Sequence, residues 1–410
     1  MTDYELSRLL ISLMLLLSSA LILGQFFEFL RMPRVIGEIS AGLLLGPSCF
    51  GEIAPNMQQS IFNAFEYQDK LLSVFYWLGL ILLMFSAGFN ISSAFDKKDR
   101  LLIMKLIIGG IGLPFLFGFF TAAYIPNNVV PNELSFSLVI ATAAAVTSIP
   151  VLTKIFLDLG IAPSRFARMV LGAAALQDLI LWSILAVAIA AQQGEIVNTV
   201  DLVVVLGTTV AFAVFVILLA PTVVRALGKF VISRFSNDSL LGYTLLFCVA
   251  LVSFASFLKV NIIFGALLAG LVVGRFANYK MDTIKKSISS IAIWFFVPIY
   301  FALVGFKLNL IAHLDLILLI VFFIGSSIIK ITSVSLLSKS SCKSWLHSVD
   351  FGIVMNARGG PGIVLASLAY SANIIDENLL VVLVLTAILT SLFAGLWLRN
   401  RIQKDGNLFT

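Results

Sequence analysis

Apolar residues run in blocks of roughly 18–25 from one end of the chain to the other, separated by short clusters of charge, Gly and Pro. The blocks predict about 13 membrane segments, near residues 6–30, 34–47, 71–93, 101–125, 133–157, 164–192, 198–226, 239–257, 260–275, 288–308, 312–337, 347–372 and 378–399. The chain therefore reads as an all-α polytopic membrane protein. The first block follows Asp3 and Glu5 instead of a basic stretch and is too long for a signal peptide, so it counts as a span. The tail after residue 399 is short and ends at Thr410, and no soluble regulatory domain is expected.

Composition agrees with that pattern. Sixty per cent of residues are hydrophobic and 12 % charged, whereas a soluble globular domain carries about 25 % charged residues. The net charge of +6 reflects orientation. With the N-terminus outside and the C-terminus in the cytoplasm, most of the 27 Lys and Arg fall in cytoplasmic loops or the tail. Examples are Arg31, Arg34, Lys97, Lys98, Arg165, Arg168, Arg225, Lys229, Arg234, Lys285, Lys343 and Arg401. Only Arg8, Lys70, Lys259 and Lys307 fall outside, as expected for a multi-pass protein of the cell membrane. No nucleic-acid partner is needed to explain the charge. Cys49, Cys248 and Cys342 lack paired spacing, and His313 and His347 fall in loops or at segment ends. Neither a metal cluster nor a cofactor is implied.

One acid breaks the pattern. Asp178 stands alone in VLGAAALQDLILWSILAVAIAAQQG, residues 170–194, nearer the middle than the ends. A charged side chain at that depth costs roughly 2.5–3.5 kcal/mol on insertion scales, so it marks an ion or proton site. A buried carboxylate can hold a proton or a monovalent cation but not both, the minimal basis of cation/proton exchange. Gln177, the hydroxyls of Thr147 and Ser148, and freed backbone carbonyls are candidate neutral ligands. One carboxylate suits K+ or Na+, since a divalent ion draws two or more acids or histidines. Lys330 and Arg358 also lie deep in spans. Lys330 either pairs with Asp178 in the ion-free state or snorkels to the cytoplasmic edge. Arg358 reads as a counter-charge for opposed helix C-termini. Glu38 is either a second acid on the path or a helix-end packing residue.

Two further patterns frame the site. VIGEISAGLLLG (35–46) and NIIFGALLAGLVVG (261–274) share Gly, three residues, Ala-Gly, an apolar triplet and Gly. The following spans end alike, with Gly88-Phe89 and Gly305-Phe306. A shift of seven spans reverses each helix, which gives inverted repeats over 1–197 (spans one to six) and 239–410 (spans eight to thirteen), joined by a linking helix over 198–238. In that frame span five matches span twelve, and both carry helix breakers. The first has Thr142, Thr147, Ser148 and Pro150, and the second Asn356, Arg358, Gly359, Gly360, Pro361 and Gly362. Unwound backbone at this depth survives only where it is buried in protein or lines a watery cavity, and paired breaks point to a binding site.

These residues resemble the monovalent cation/proton antiporters, specifically the second superfamily branch with bacterial potassium-efflux and sodium/proton exchangers. The resemblance covers nearly the whole chain. It rests on GEISAGLLLGPS (37–48), LLMFSAGFNI (82–91), ATAAAVTSIPVLTKIFLDLG (141–160), ALQDL (175–179), FGALLAGLVVG (264–274) and FVPIYFALVGFKLNL (296–310), in that order. It implies a dimerisation domain, a mobile core domain with spans five and twelve as crossed, unwound helices, and a homodimer. It also implies that Asp178 binds the ion and that Lys330 is the family's basic residue in a core helix. Electrogenic sodium exchangers carry Asp-Asp where this chain has Gln177-Asp178, and many electroneutral ones carry Asn-Asp. The Gln-Asp pair is similar to the glutathione-gated potassium-efflux type, and one acid implies electroneutral 1:1 exchange. Arg358 within Asn356–Gly360 looks more like sodium or plant-type exchangers, so K+ and Na+ both stay open. The rival readings are a sodium-coupled symporter of an organic solute on the same fold, a channel, or a membrane enzyme. The symporter predicts more polar or aromatic side chains at the breaks than Ala141–Ala145 offer, and no filter motif or nucleophile–base pair supports the other two.

Overall fold

A computed structural model of the chain describes residues 2–30, 34–91, 99–129, 132–161, 164–194, 204, 207–218, 222, 237–258, 260, 262–276, 279–342 and 344–404. In chain order its main helices are α1 (Asp3–Phe29), α2 (Arg34–Leu45), α3 (Gln68–Ile91), α4 (Arg100–Thr121), α5 (Glu133–Ala145), α6 (Ile149–Asp158) and α7 (Arg165–Gln192). There follow α8 (Gly207–Leu218), α9 (Asn237–Phe257), α10 (Ile262–Gly274), α11 (Tyr279–Ile291), α12 (Val297–Lys307), α13 (Leu316–Lys339), α14 (Trp345–Met355), α15 (Gly359–Ser371) and α16 (Glu377–Lys404). Among the described residues, eight helices are long and apolar enough to cross a membrane.

Most predicted spans coincide with these helices. The seventh, 198–226, matches α8 only in part; most of its remainder lies outside the described residues, as do Arg31, Lys97, Lys98, Arg225, Lys229, Arg234, Lys259 and Lys343. The tenth begins earlier than its apolar block. Its charged first half, α11, runs straight into α12 through a π-turn at Ala292–Phe296. The wide turn precedes Pro298, whose ring excludes the regular hydrogen bond to Trp294. Lys285 of α11 reaches back to the carbonyl oxygens of Gly274 and Phe276, neutralising the end of α10. Two short helices after α2, Phe50–Ile53 and Pro55–Phe62, were not expected from the apolar pattern because neither is long or uniformly apolar.

The described residues form two compact units. The first draws on Met1–Phe29, Arg34–Ser93 and Leu206–Asn309. Its core is two helix pairs, α2 against α12 and α10 against α3, whose backbones nearly touch. A Cβ on Gly42 would lie 1.9 Å from the Ala302 carbonyl oxygen, and one on Gly305 would lie 2.0 Å from that of Ile39. In the other pair, a Cβ on Gly270 would meet the oxygen of Phe85 at 2.0 Å, and one on Gly88 that of Leu267 at 2.4 Å. Helices in lipid gain little from hydrophobic association and rely on such close approach. Gly42→Ala is therefore expected to lose at least about 1–3 kcal/mol, the usual cost of overpacking. Gly112, with nothing within 4 Å of its missing Cβ, should tolerate Ala. Thermal unfolding in detergent would compare the two, and equal stability would contradict the packing account.

The second unit draws on Leu30–Pro33, Ala94–Val205 and Leu310–Thr410. Polar N-caps start four of its helices: Asn132 for α5, Ser164 for α7, Asp315 for α13 and Ser344 for α14. α4 packs on α5, α7 and α13, while α13 also packs on α14 and α16. At the end of α13, Lys105 of α4 donates to the hydroxyls of Ser340 and Ser341 at 2.6 and 2.8 Å. Spans five and twelve are both interrupted, at 146–148 and 356–358.

Candidate functional site

The two interruptions meet. Ser148 donates its backbone N–H to the Ala357 carbonyl at 2.7 Å, tying one break to the other. Gly359 adopts φ +39°, a left-handed conformation that favours glycine. A side chain there would lie 2.4 Å from Val151 Cγ2 and 2.7 Å from Ser148 Oγ. Gly360 and Pro361 complete the first turn of α15, where a missing proline N–H leaves no bond unmade. Pro150 falls in the first turn of α6; its side chain is outside the described residues.

Asp178 projects from α7 and is 4 % exposed. Its Oδ1 is buried with no hydrogen-bond partner among the described residues. Other buried acids differ. Asp350 accepts from Arg401 and Trp397, Asp99 from Arg165, Glu38 from Arg34, and Asp376 caps Leu379 and holds Asn128. Glu38 thus sits in an i,i+4 ion pair within α2, in the other unit. An open carboxylate oxygen out of water is costly unless a proton or cation occupies it.

Lys330 is fully buried and takes neither position expected of it. Among the described residues it makes no ion pair with Asp178 within 4.0 Å, and it does not reach an edge. Its Nζ donates to the carbonyls of Ala145 and Val146 at 2.6 and 2.7 Å and to Thr147 Oγ1 at 2.9 Å. Those are the carbonyls left orphaned where α5 stops, which carry the negative end of its dipole. An ammonium with three donors fills that position; leucine would leave the oxygens bare.

Arg358 lies within the second break and is also buried. Its Nη2 donates to Ser326 Oγ at 2.8 Å and approaches Asn356 Oδ1 at 3.5 Å, and the guanidinium sits 5.7 Å from the Phe322 ring centroid. Asn356 donates in turn to Ser327 Oγ. The Arg358 backbone N–H reaches Thr390 on α16. Hence the serine face of α13 supports the second break as its lysine supports the first. Those serines and Thr390 escaped the sequence reading because small hydroxyls in apolar spans also bond to their own helix.

The remaining candidates divide. The Thr147 hydroxyl lies 2.9 Å from Gln177 Oε1 and 2.7 Å from the Met355 carbonyl. Ser148 Oγ caps Val151. Thr142 turns its hydroxyl onto its own helix at Leu138, away from the break. Gln177 has both amide ends engaged, Nε2 donating to Leu106 O at 3.1 Å. Asp178 thus keeps an open oxygen, Lys330 holds the first break, Arg358 bonds through Nη2 at the second, and the two breaks are tied to each other.

Comparison with known proteins bears on the family and the fold. A profile described as the transmembrane sodium/hydrogen exchanger matches residues 14–402. The chain is 31 % identical to K(+)/H(+) antiporter 1 of Saccharomyces cerevisiae over 89 % of its own length and 43 % of that protein's. It is 25 % identical to Cation/H(+) antiporter 17 of Arabidopsis thaliana, over 100 % of this chain and 50 % of that one. The Na(+)/H(+)-K(+) antiporter GerN of Bacillus cereus, also 25 % identical, is covered over 92 % of both chains. The chain spans about half the length of the first two relatives or less. The solved structure of the sodium proton antiporter MjNhaP1 from Methanocaldococcus jannaschii matches with a TM-score of 0.74 at 16 % identity, covering 98 % of this chain and 99 % of that one. That likeness shows the fold. By the profile match across nearly its entire length, the chain belongs to the transmembrane sodium/hydrogen exchanger family, whose members are multi-pass membrane transporters.

Proposed function

We propose that the chain is a secondary active antiporter that exchanges K+ or Na+ for H+ by alternating access, one for one and without net charge movement. The observation that carries this is Asp178 Oδ1, a buried acceptor without a partner among the described residues, in the unit where two broken helices are tied together. A carboxylate so placed binds a proton or an alkali ion in turn, and a single acid exchanges single charges. Lys330 compensates the end of α5, Arg358 is held at the second break by Ser326, and Thr147 and Ser148 lie at the first break. The relatives' printed names, K(+)/H(+), Cation/H(+) and Na(+)/H(+)-K(+) antiporters, support the exchange. Nothing in those names favours a solute symporter.

The same reading takes the chain as inverted repeats, 1–197 and 239–410, with 198–238 linking them. The close contacts of the first unit support it, because they exchange under the repeat. Gly42 approaches Ala302 as Gly270 approaches Phe85, and a Cβ on Gly46 would lie 2.7 Å from the Phe306 oxygen as one on Gly274 would lie 2.7 Å from that of Phe89. Ala302 and Phe85 each lie three residues before the paired glycines, Gly305 and Gly88. The protein acts as a homodimer in the cell membrane, with its N-terminus outside and C-terminus in the cytoplasm.

Vesicles containing the protein and a trapped pH dye test the function. Pulses of KCl, NaCl and LiCl should each be compared with and without a valinomycin-clamped potential. Alkali-dependent proton flux that ignores the clamp is expected. Flux that follows the potential would overturn the 1:1 ratio, and no flux with any ion would overturn antiport.

A further inference from the structure

Gly110 of α4 faces the side-chain amide of Gln177 on α7 so closely that any side chain there would displace the amide. A methyl there would lie 2.1 Å from Gln177 Nε2 and 3.0 Å from its Cδ. Its neighbour Gly109 meets α13 on another side, with its missing Cβ 2.9 Å from Val334 Cα. α4 is thus held close to both helices, and Gly110 is the socket in which the amide sits.

From that socket a chain of hydrogen bonds runs to Lys330. Gln177 Nε2 donates to Leu106 O, and Gln177 Oε1 accepts from Thr147 Oγ1. Thr147 Oγ1 accepts from the Lys330 ammonium. A hydroxyl has one proton, so Thr147 donates either to Gln177 or to Met355 O, but it accepts from Lys330 in both cases. Gln177 is thus placed by contacts at both ends of its amide, Nε2 on Leu106 O and Oε1 beside Thr147 Oγ1. What it does is fix Thr147, the third oxygen in the cradle that holds Lys330.

We propose that Gly110 is a positioning residue of the cation site. It seats Gln177, which through Thr147 keeps the Lys330 ammonium on the break carbonyls and leaves Asp178 Oδ1 open to cargo. The proposal rests on the antiport reading above. An ammonium and an alkali ion are rivals for one carboxylate oxygen. If the cradle loosens, Lys330 turns to Asp178, competes with every cation alike, and resists protonation of the carboxylate by holding it in its charged form.

Full-length wild type, Gly110→Ala, Gln177→Met and Thr147→Val are to be compared in the vesicle assay, with folding followed by thermal unfolding. KM for Na+, K+ and Li+ should rise by one common factor of about tenfold in each variant, the order of one lost hydrogen bond. The acid limb of the activity–pH profile should move to lower pH. Gly110→Ala discriminates because it removes no polar group. A KM rise limited to one ion in Gln177→Met and absent from Gly110→Ala would make Gln177 a ligand and overturn the proposal. Folded variants with unchanged KM and pH limb would do so too. Should Gly110→Ala fail to fold, the other two variants decide by the same criteria. An inactive wild type would instead count against antiport itself.

Discussion

Asp178→Asn in vesicles is expected to reduce cation-driven proton movement to the level of empty vesicles while leaving the protein at least as resistant to heat as wild type. The two halves of that result have one cause. Oδ1 of Asp178 makes no hydrogen bond among the described residues, so replacing the carboxylate by an amide of the same shape breaks no bond at that atom. It also removes a charge whose burial costs roughly 2.5–3.5 kcal/mol on insertion scales. The amide cannot bind and release a proton near neutral pH and supplies no negative charge to an alkali ion. Lys330 keeps its place, since its three acceptors belong to Ala145, Val146 and Thr147. Stability and activity should therefore move in opposite directions, as at a site where function keeps a residue that stability disfavours. Undiminished exchange by a folded Asp178→Asn protein would remove Asp178 from the mechanism. A large fall in melting temperature would show instead that the acid is structural.

Much of this was legible in the sequence, and the failures have physical reasons. Span limits follow from long apolar blocks, and both breaks from proline and glycine in blocks that length would otherwise make continuous. Lys330 was harder. Sequence places it in depth but not in direction, and the orphaned carbonyls that bind it exist only once α5 has stopped. Gln177 next to Asp178 suggests a ligand, yet the fold spends its amide on Leu106 and Thr147. Gly110 is one of two adjacent glycines in an apolar span, which sequence reads as packing; its relation to Gln177 needs α4 and α7 side by side. Asp350 is the most telling omission. Like Asp178 it is a single acid inside a predicted span, and it is fully buried. The difference between them is Arg401, 51 positions away, and no local pattern announces such a partner.

That partnership supports the second large effect. Asp350→Ala is expected to destabilise the protein by about 3–5 kcal/mol, the usual result of removing one member of a buried ion pair. Asp350 Oδ1 accepts from Arg401 Nε at 3.0 Å and from Trp397 Nε1 at 2.9 Å, and Oδ2 lies 3.3 Å from Arg401 Nη2. His347 Nδ1 stands 4.0 Å from Oδ2. Truncation takes the shared acceptor from the guanidinium and the indole together, in a place water does not reach. The double variant Asp350→Leu, Arg401→Met should recover most of the loss, because filling both positions with apolar side chains removes the charge and its debt alike. Thermal unfolding in detergent measures both, and transport per folded molecule separates stability from mechanism. KM should stay near wild type in whatever fraction of Asp350→Ala remains folded, since the pair joins the first turns of α14 to the last turn of α16 and touches no group at the breaks. A double variant no more stable than Asp350→Ala would mean that shape, and not the stranded charge, sets the cost. An altered KM would bring Asp350 into the transport site, where Asp178 has been placed alone.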